Sequence, residues 1–140
     1  MTLQTRFNEF YSPLALESLA DLGTIYDPQV TFVDPVAVHS GLSALDSYFR
    51  RLLSGCKDCD FVIREQVFGE TRGWLSWTMT FASPRLNGGR EVEVDGSSVL
   101  AICEDRITFQ RDYYDLGAMV YEQLPILGAV IRHIRGRMAA

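Results

Sequence analysis

The chain reads as an α+β domain: a curved, mostly antiparallel sheet wrapped by N-terminal helices around an apolar pocket, with a further helix at the C-terminus. Three observations predict this. The first third has helical apolar spacing, the middle switches to strict alternation in runs joined by short turn signals, and the last 25 or so residues return to a helical, aliphatic-rich pattern. A long sheet with one apolar face needs a cover, and the early helices can supply it while leaving a pocket between.

Each element follows from local chemistry. Phe7, Phe10 and Tyr11 form a short apolar helical face. Ser12-Pro13 has the form of a cap and a first-turn proline, opening a second helix whose apolar side is Leu14, Leu16, Leu19, Leu22, Ile25 and Tyr26. Asp27-Pro28 is expected to end that helix, because a residue before proline disfavours the helical region. Val30–Val33 is a short strand that runs into Asp34-Pro35 and a loop holding His39 and Gly41. Ser43–Leu53 is amphipathic, with Leu45, Tyr48, Phe49 and Leu52 on one side. Strands are expected over Phe61–Phe68, Trp74–Ala82, Arg90–Cys103 and Ile107–Tyr114, with a hairpin loop at Pro84–Gly89 and a tight turn at Glu104-Asp105. In the second strand Leu75, Trp77, Met79 and Phe81 share one face. Leu116–Met138 reads as a helix that Pro125 and Gly128 kink or split. The expected organisation is one domain over 1–140, with 116–138 as a helical extension.

Composition bounds the function. The chain has 140 residues, 47% of them hydrophobic and 22% charged, with a net charge of −5. That excess of acid argues against nucleic acid as a partner, since phosphate binding needs clustered Lys and Arg. One basic stretch, Arg132–Arg137, complements the dipole of a helix end, with contact to a membrane surface as the alternative reading. No basic-then-apolar leader opens the sequence and no apolar run reaches bilayer length, so a cytoplasmic location is expected. Cys56 and Cys59 form an isolated C-x-x-C, without the second ligand pair that a structural zinc site needs, and Cys103 stands alone. They read as loop cysteines after a helix. There is no phosphate-cradling glycine loop, dinucleotide fingerprint or histidine cluster, so no metal and no cofactor is expected.

The stretch Tyr26–Pro35, followed by Gly41 and the helix Ala44–Leu53, resembles the signature of the SnoaL-like and ketosteroid-isomerase-like families, of nuclear-transport-factor-2-like fold. Asp95–Leu100, a turn, then Arg106-Ile107 and Arg111–Asp115 resemble the last hairpin of the same superfamily, and the limonene epoxide hydrolases in particular. The resemblance implies a cone-shaped fold, a homodimer, and a small apolar molecule as partner. It puts Asp34 at the place of the isomerase general base; the residues alone also allow an Asx-turn there. It puts Asp112 at a catalytic aspartate of the last strand, beside Gln110 and Tyr114 by alternation; a structural ion pair with Arg111 is the other reading. For the donors that would hold an enolate oxygen it offers Ser98 and Tyr11. Alignment places Phe10 at the family tyrosine, and a one-residue shift near Ser12-Pro13 brings Tyr11 into register. The earlier-strand Arg and Asp of the hydrolases fall on Met79 and Phe81, so epoxide hydrolysis is not implied.

The implied chemistry is cofactor-free acid/base isomerisation or cyclisation of a small apolar carbonyl compound. Asp34 and Asp112 would divide the proton transfers, with Phe10, Phe32, His39, Trp77, Met79, Phe81, Val94, Gln110 and Tyr114 around the ligand. A non-catalytic pocket for a lipid-like or polyketide-like molecule, and a dimerisation module, are the alternatives.

Overall fold

The computed structural model describes residues 1–140 apart from the Lys57 side chain. Helix α1 (Leu3–Tyr11) leads to a 3-10 turn (Leu16–Asp21) and the short α2 (Leu22–Ile25). Strands β1 (Tyr26–Val33) and β2 (Val38–Ser40) precede α3 (Leu42–Ser54). Then β3 (Lys57–Phe68), β4 (Arg72–Ala82), β5 (Glu91–Cys103) and β6 (Arg106–Tyr114) follow as hairpins, and α4 (Leu116–Met119) and α5 (Pro125–Ala139) close the chain. The six strands lie in the order β2-β1-β6-β5-β4-β3. Every pairing is antiparallel except β1 with β6, so the sheet is largely antiparallel, as the hairpin spacing predicted.

The core sits on the inner face of the curve. Leu75, Trp77, Met79 and Phe81 of β4 are buried, as are Val92, Val94, Ser98, Leu100 and Ile102 of β5, which is the predicted alternation. Phe7, Phe10 and Tyr11 of α1 and Leu45 and Phe49 of α3 cover that face. Glu104 and Asp105 both take positive φ (49° and 62°), the conformation of a tight two-residue hairpin.

Several expected boundaries move. The second helix is only a 3-10 stretch and one α-turn: the Ser12 hydroxyl donates to the Phe61 carbonyl of β3 instead of capping a helix at Pro13. Tyr26 and Asp27-Pro28 belong to β1 rather than to a helix end, with Tyr26 paired to Ile107 across the sheet. His39 lies in β2, opposite Phe32, not in a free loop. Cys59 lies within β3, so the C-x-x-C straddles a strand start; all three cysteines are free thiols, and burial pushes that of Cys59 up to about 12. The C-terminal segment splits at Pro125, which occupies the first turn of α5 where a missing N–H is harmless. Gly128 then passes against the Glu122 carbonyl, where a Cβ would come within 2.3 Å. Arg135 closes this corner with a paired hydrogen bond to the Glu122 carboxylate, both contacts at 2.6 Å. No helix is long and apolar enough to cross a membrane.

One glycine sets the inner face. Gly96 pairs with Trp77, and a Cβ there would lie 2.3 Å from the indole ring. Gly96→Ala should lower stability by about 1–3 kcal/mol, the usual range for overpacking a core. Urea unfolding followed by Trp fluorescence measures it, and an unchanged midpoint would show that the indole is free to move aside.

Candidate functional site

Strand alternation sends Gln110, Asp112 and Tyr114 of β6 to the inner face, and the β5–β6 register sets Ser98 directly across from Asp112. The two side chains therefore meet: the Ser98 hydroxyl donates to Asp112 Oδ1 at 2.6 Å, and Gln110 Nε2 donates to the same oxygen at 2.8 Å. Trp77 Nε1 of β4, in the room left by Gly96, donates to Ser98 Oγ at 2.9 Å. On the other side the Tyr26 hydroxyl donates to Gln110 Oε1 at 2.7 Å. The Tyr11 and Tyr26 hydroxyls are 2.6 Å apart. Tyr26 has one proton and gives it to Gln110, so Tyr11 is the donor in that pair. Two chains of donors, Tyr11–Tyr26–Gln110 and Trp77–Ser98, thus converge on one carboxylate oxygen. Among the described residues no donor reaches Asp112 Oδ2, which is left to the cavity that Asp112 lines.

This environment pulls the acidity of Asp112 in two directions. Its surface is partly open to the cavity, but protein rings it on all sides, and that burial disfavours the charge. The Ser98 and Gln110 hydrogen bonds oppose the effect and nearby Asp34 reinforces it, leaving Asp112 pushed up to about 6. Burial, aided by the charge of Asp112, likewise raises the Tyr11 hydroxyl far above the usual phenol range and keeps it neutral.

Asp34 is held differently. It follows β1, and its Oδ1 accepts the backbone N–H groups of Val36 and Ala37, both at 2.9 Å, as an Asx-turn does. Its Oδ2 accepts a short hydrogen bond from the Tyr48 hydroxyl of α3. Burial, then the bond to Asp34, raises the Tyr48 hydroxyl well above its ordinary value. The His39 ring stacks on Tyr48, with centroids 4.0 Å apart, so it buttresses the far side of this pair.

Two adjoining compartments meet at Asp112, and the outer one also reaches Asp34. The inner one, beneath α1, has about 10 Å³ of open volume, roughly one water molecule's worth, and is lined by Tyr11, Phe61, Trp77, Ser98, Gln110 and Asp112 among others. The outer one, about 40 Å³, reaches Phe32, Asp34, Tyr48, Trp77, Met79, Asp112, Tyr114 and Met119.

The structure thus brings Tyr11, Phe32, Asp34, Trp77, Met79, Ser98, Gln110, Asp112 and Tyr114 to one cavity. Phe10 is not with them: the register puts Tyr11 inward, while Phe10 packs on Phe49 and Tyr11. Phe81 and Val94 are core residues outside both linings. Asp112 makes no ion pair with Arg111, whose guanidinium lies over the Tyr113 ring on the other face. Asp115 caps α4 through Ala118 N. Tyr26 and Tyr48 were missed as site residues. Both read as apolar positions of helices, yet a buried Tyr hydroxyl needs a partner, and that requirement was the available signal. Among the described residues no three His, Cys, Asp or Glu side chains group as a metal site.

Comparison with known proteins places the fold. The family described as SnoaL-like domain matches residues 7–110. No curated protein is similar enough in sequence to match. Similar solved structures include a hypothetical protein with a ketosteroid-isomerase-like fold from Catenulispora acidiphila, in complex with trimethylamine (18% identity, TM-score 0.73, covering 89% of this chain and 96% of that one). Another is a SnoaL-like polyketide cyclase from Agrobacterium tumefaciens (17%, 0.71, 85% and 95%). A third is an NTF2-like protein of unknown function from Burkholderia pseudomallei (14%, 0.72, 84% and 93%). At these identities the likeness establishes the fold.

The raised pKa of Asp112 has a thermodynamic consequence. A carboxyl whose folded pKa lies above its unfolded value binds more protons when folded, so stability falls as pH rises from about 4 to about 6, then levels. Asp112→Asn keeps an oxygen for Ser98 and Gln110 and removes the charge. It should stabilise the protein at pH 7.5 by about 2–3 kcal/mol, with the gain vanishing near pH 4. Denaturant melts at both pH values check this, and a variant no more stable at pH 7.5 would contradict it.

Proposed function

The chain belongs to the SnoaL-like domain family, and we propose that its pocket is a cofactor-free acid/base site for a small carbonyl compound, with Asp112 taking and returning the proton. The observation that carries this reading is the asymmetry of the Asp112 carboxyl. One oxygen is saturated by Ser98 and Gln110, and the other is left for the cavity. A carboxyl near pKa 6 is ionised at neutral pH, yet is a stronger base than an ordinary aspartate. Asp34, with three donors on its two oxygens, serves in this account as a fixed negative charge that orients Tyr48. Environment divides the two carboxylates between these roles.

A second reading, a pocket that binds without turnover, has one observation in its favour. The Ser98 and Tyr11 protons are directed along the network to Asp112, away from any oxyanion in the cavity. Proton exchange separates the two. In D2O the protein should catalyse deuterium incorporation alpha to the carbonyl of cyclopentanone, followed by 1H NMR. The rate should climb through about pH 6 as Asp112 ionises to its basic form, then level. Asp112→Asn should lower it by about 100-fold or more, the usual contribution of a positioned general base. Equal rates in the two proteins would leave the binding pocket as the function.

A further inference from the structure

We propose that the pocket selects a small organic cation, an alkyl- or arylammonium compound, over the neutral molecule of the same shape. This concerns which charge state of ligand the same cavity favours, and rests on its being the ligand site.

Three features of the cavity point the same way. The first is charge. Asp34 and Asp112 both line the outer compartment, and no Lys or Arg is among its described lining residues. The nearest candidates to neutralise Asp112 are turned elsewhere: Arg111 lies over Tyr113, and Arg64 donates to Thr78, whose hydroxyl bonds Asp95. The two carboxylates are satisfied by neutral hydrogen-bond donors, so the cavity keeps its negative charge. The charge of Asp34 is felt in the cavity, where it helps to raise the pKa of Asp112 and of Tyr114 after burial has done so. A cation between them relieves that repulsion.

The second feature is the wall. Tyr48, Phe61, Trp77 and Tyr114 border the outer compartment, with Phe61 and Trp77 ring centroids 5.4 Å apart and those of Trp77 and Tyr114 6.1 Å apart. The Tyr48 and Tyr114 hydroxyls are held neutral by burial first and then by the nearby carboxylates. The faces of aromatic rings attract a cation electrostatically, more so where solvent is scarce, and offer a neutral isostere only contact.

The third feature is the direction of the protons. Tyr11, Tyr26 and Gln110 pass theirs toward Asp112, as do Trp77 and Ser98, and Tyr48 gives its own to Asp34. A ligand in this cavity therefore meets an unpartnered carboxylate oxygen and π faces, and few donors. Ammonium N–H groups match that surface; a carboxylate or phosphate would meet acceptors and negative charge. The open volume confines the group to a few heavy atoms.

The test uses four tert-butyl probes on the intact protein at pH 7.5, two isosteric pairs: tert-butylammonium with tert-butanol, and pivalate with the neutral ketone pinacolone. The Trp77 indole N–H resonance reports entry to the cavity. The expected result is a Kd for tert-butylammonium at least about 10-fold below that of tert-butanol, equivalent to about 1.4 kcal/mol, with no shift from pivalate. Asp112→Asn, checked by its melting curve, should erase most of that preference. Asp34→Asn should weaken it too, and if that variant does not fold, Asp112→Asn carries the test alone. Tert-butanol or pivalate binding as tightly as the cation would overturn the proposal, as would an unchanged preference in Asp112→Asn. Pinacolone shifting Trp77 while the cation does not would end the cation proposal and leave the carbonyl site standing. Silence from all four probes would end both.

Discussion

A carboxylate on the covered face of a sheet is expensive unless donors meet it, and Asp112 is such a carboxylate. Much of the inner architecture is explained by what it requires. The β5–β6 register must set Ser98 opposite it, and β4 must deliver the Trp77 N–H to Ser98, which in turn requires glycine at position 96. The Gln110 amide must point its nitrogen to Asp112 and its oxygen to Tyr26, and α1 must lie close enough for Tyr11 to reach Tyr26. Five elements, α1, β1, β4, β5 and β6, are thereby tied by polar contacts through an otherwise apolar core. Hydrogen bonds of this kind specify position more than they add stability, because each replaces one made to water.

The same requirement separates the two aspartates of the cavity. Asp34 accepts two backbone N–H groups and a phenol, and the backbone donors are fixed by the turn before β2. Asp112 has donors on one oxygen only and is half-buried at the cavity wall. Identical side chains thus reach the cavity in unlike states: one anchored, the other a base raised toward neutrality. The narrowness of the cavity between them strengthens every charge effect inside it, since a low local dielectric screens little.

The fold was legible in the sequence because its signals are periodic. The alternation of Leu75, Trp77, Met79 and Phe81, and the stripe of Leu45, Tyr48, Phe49 and Leu52, report which face is buried whatever the neighbours are. Resemblance to a known family singled out Asp34, Asp112 and Ser98, which the structure brings to adjoining compartments. Local rules failed where tertiary contacts outweighed them. Ser12-Pro13 has the form of a helix start, but the Ser12 hydroxyl is claimed by β3. Tyr26 fits a helical face, yet β6 recruits it as a strand residue. The choice between Phe10 and Tyr11 was open in the sequence because it depends on where α1 docks, and only the Tyr26 hydroxyl decides it. Gly96 gave no local hint that it makes room for the indole of Trp77 on the neighbouring strand.

The chemistry of the pocket turns on the state of one carboxyl group. The most direct test is an NMR titration of the Asp112 side-chain carbon in the native protein, with Asp112→Asn assigning the resonance. A midpoint near 6 is predicted, from burial only partly offset by Ser98 and Gln110. A midpoint in the ordinary aspartate range, near 4, would mean that solvent reaches Asp112 freely and that it is not the raised base around which the pocket is built.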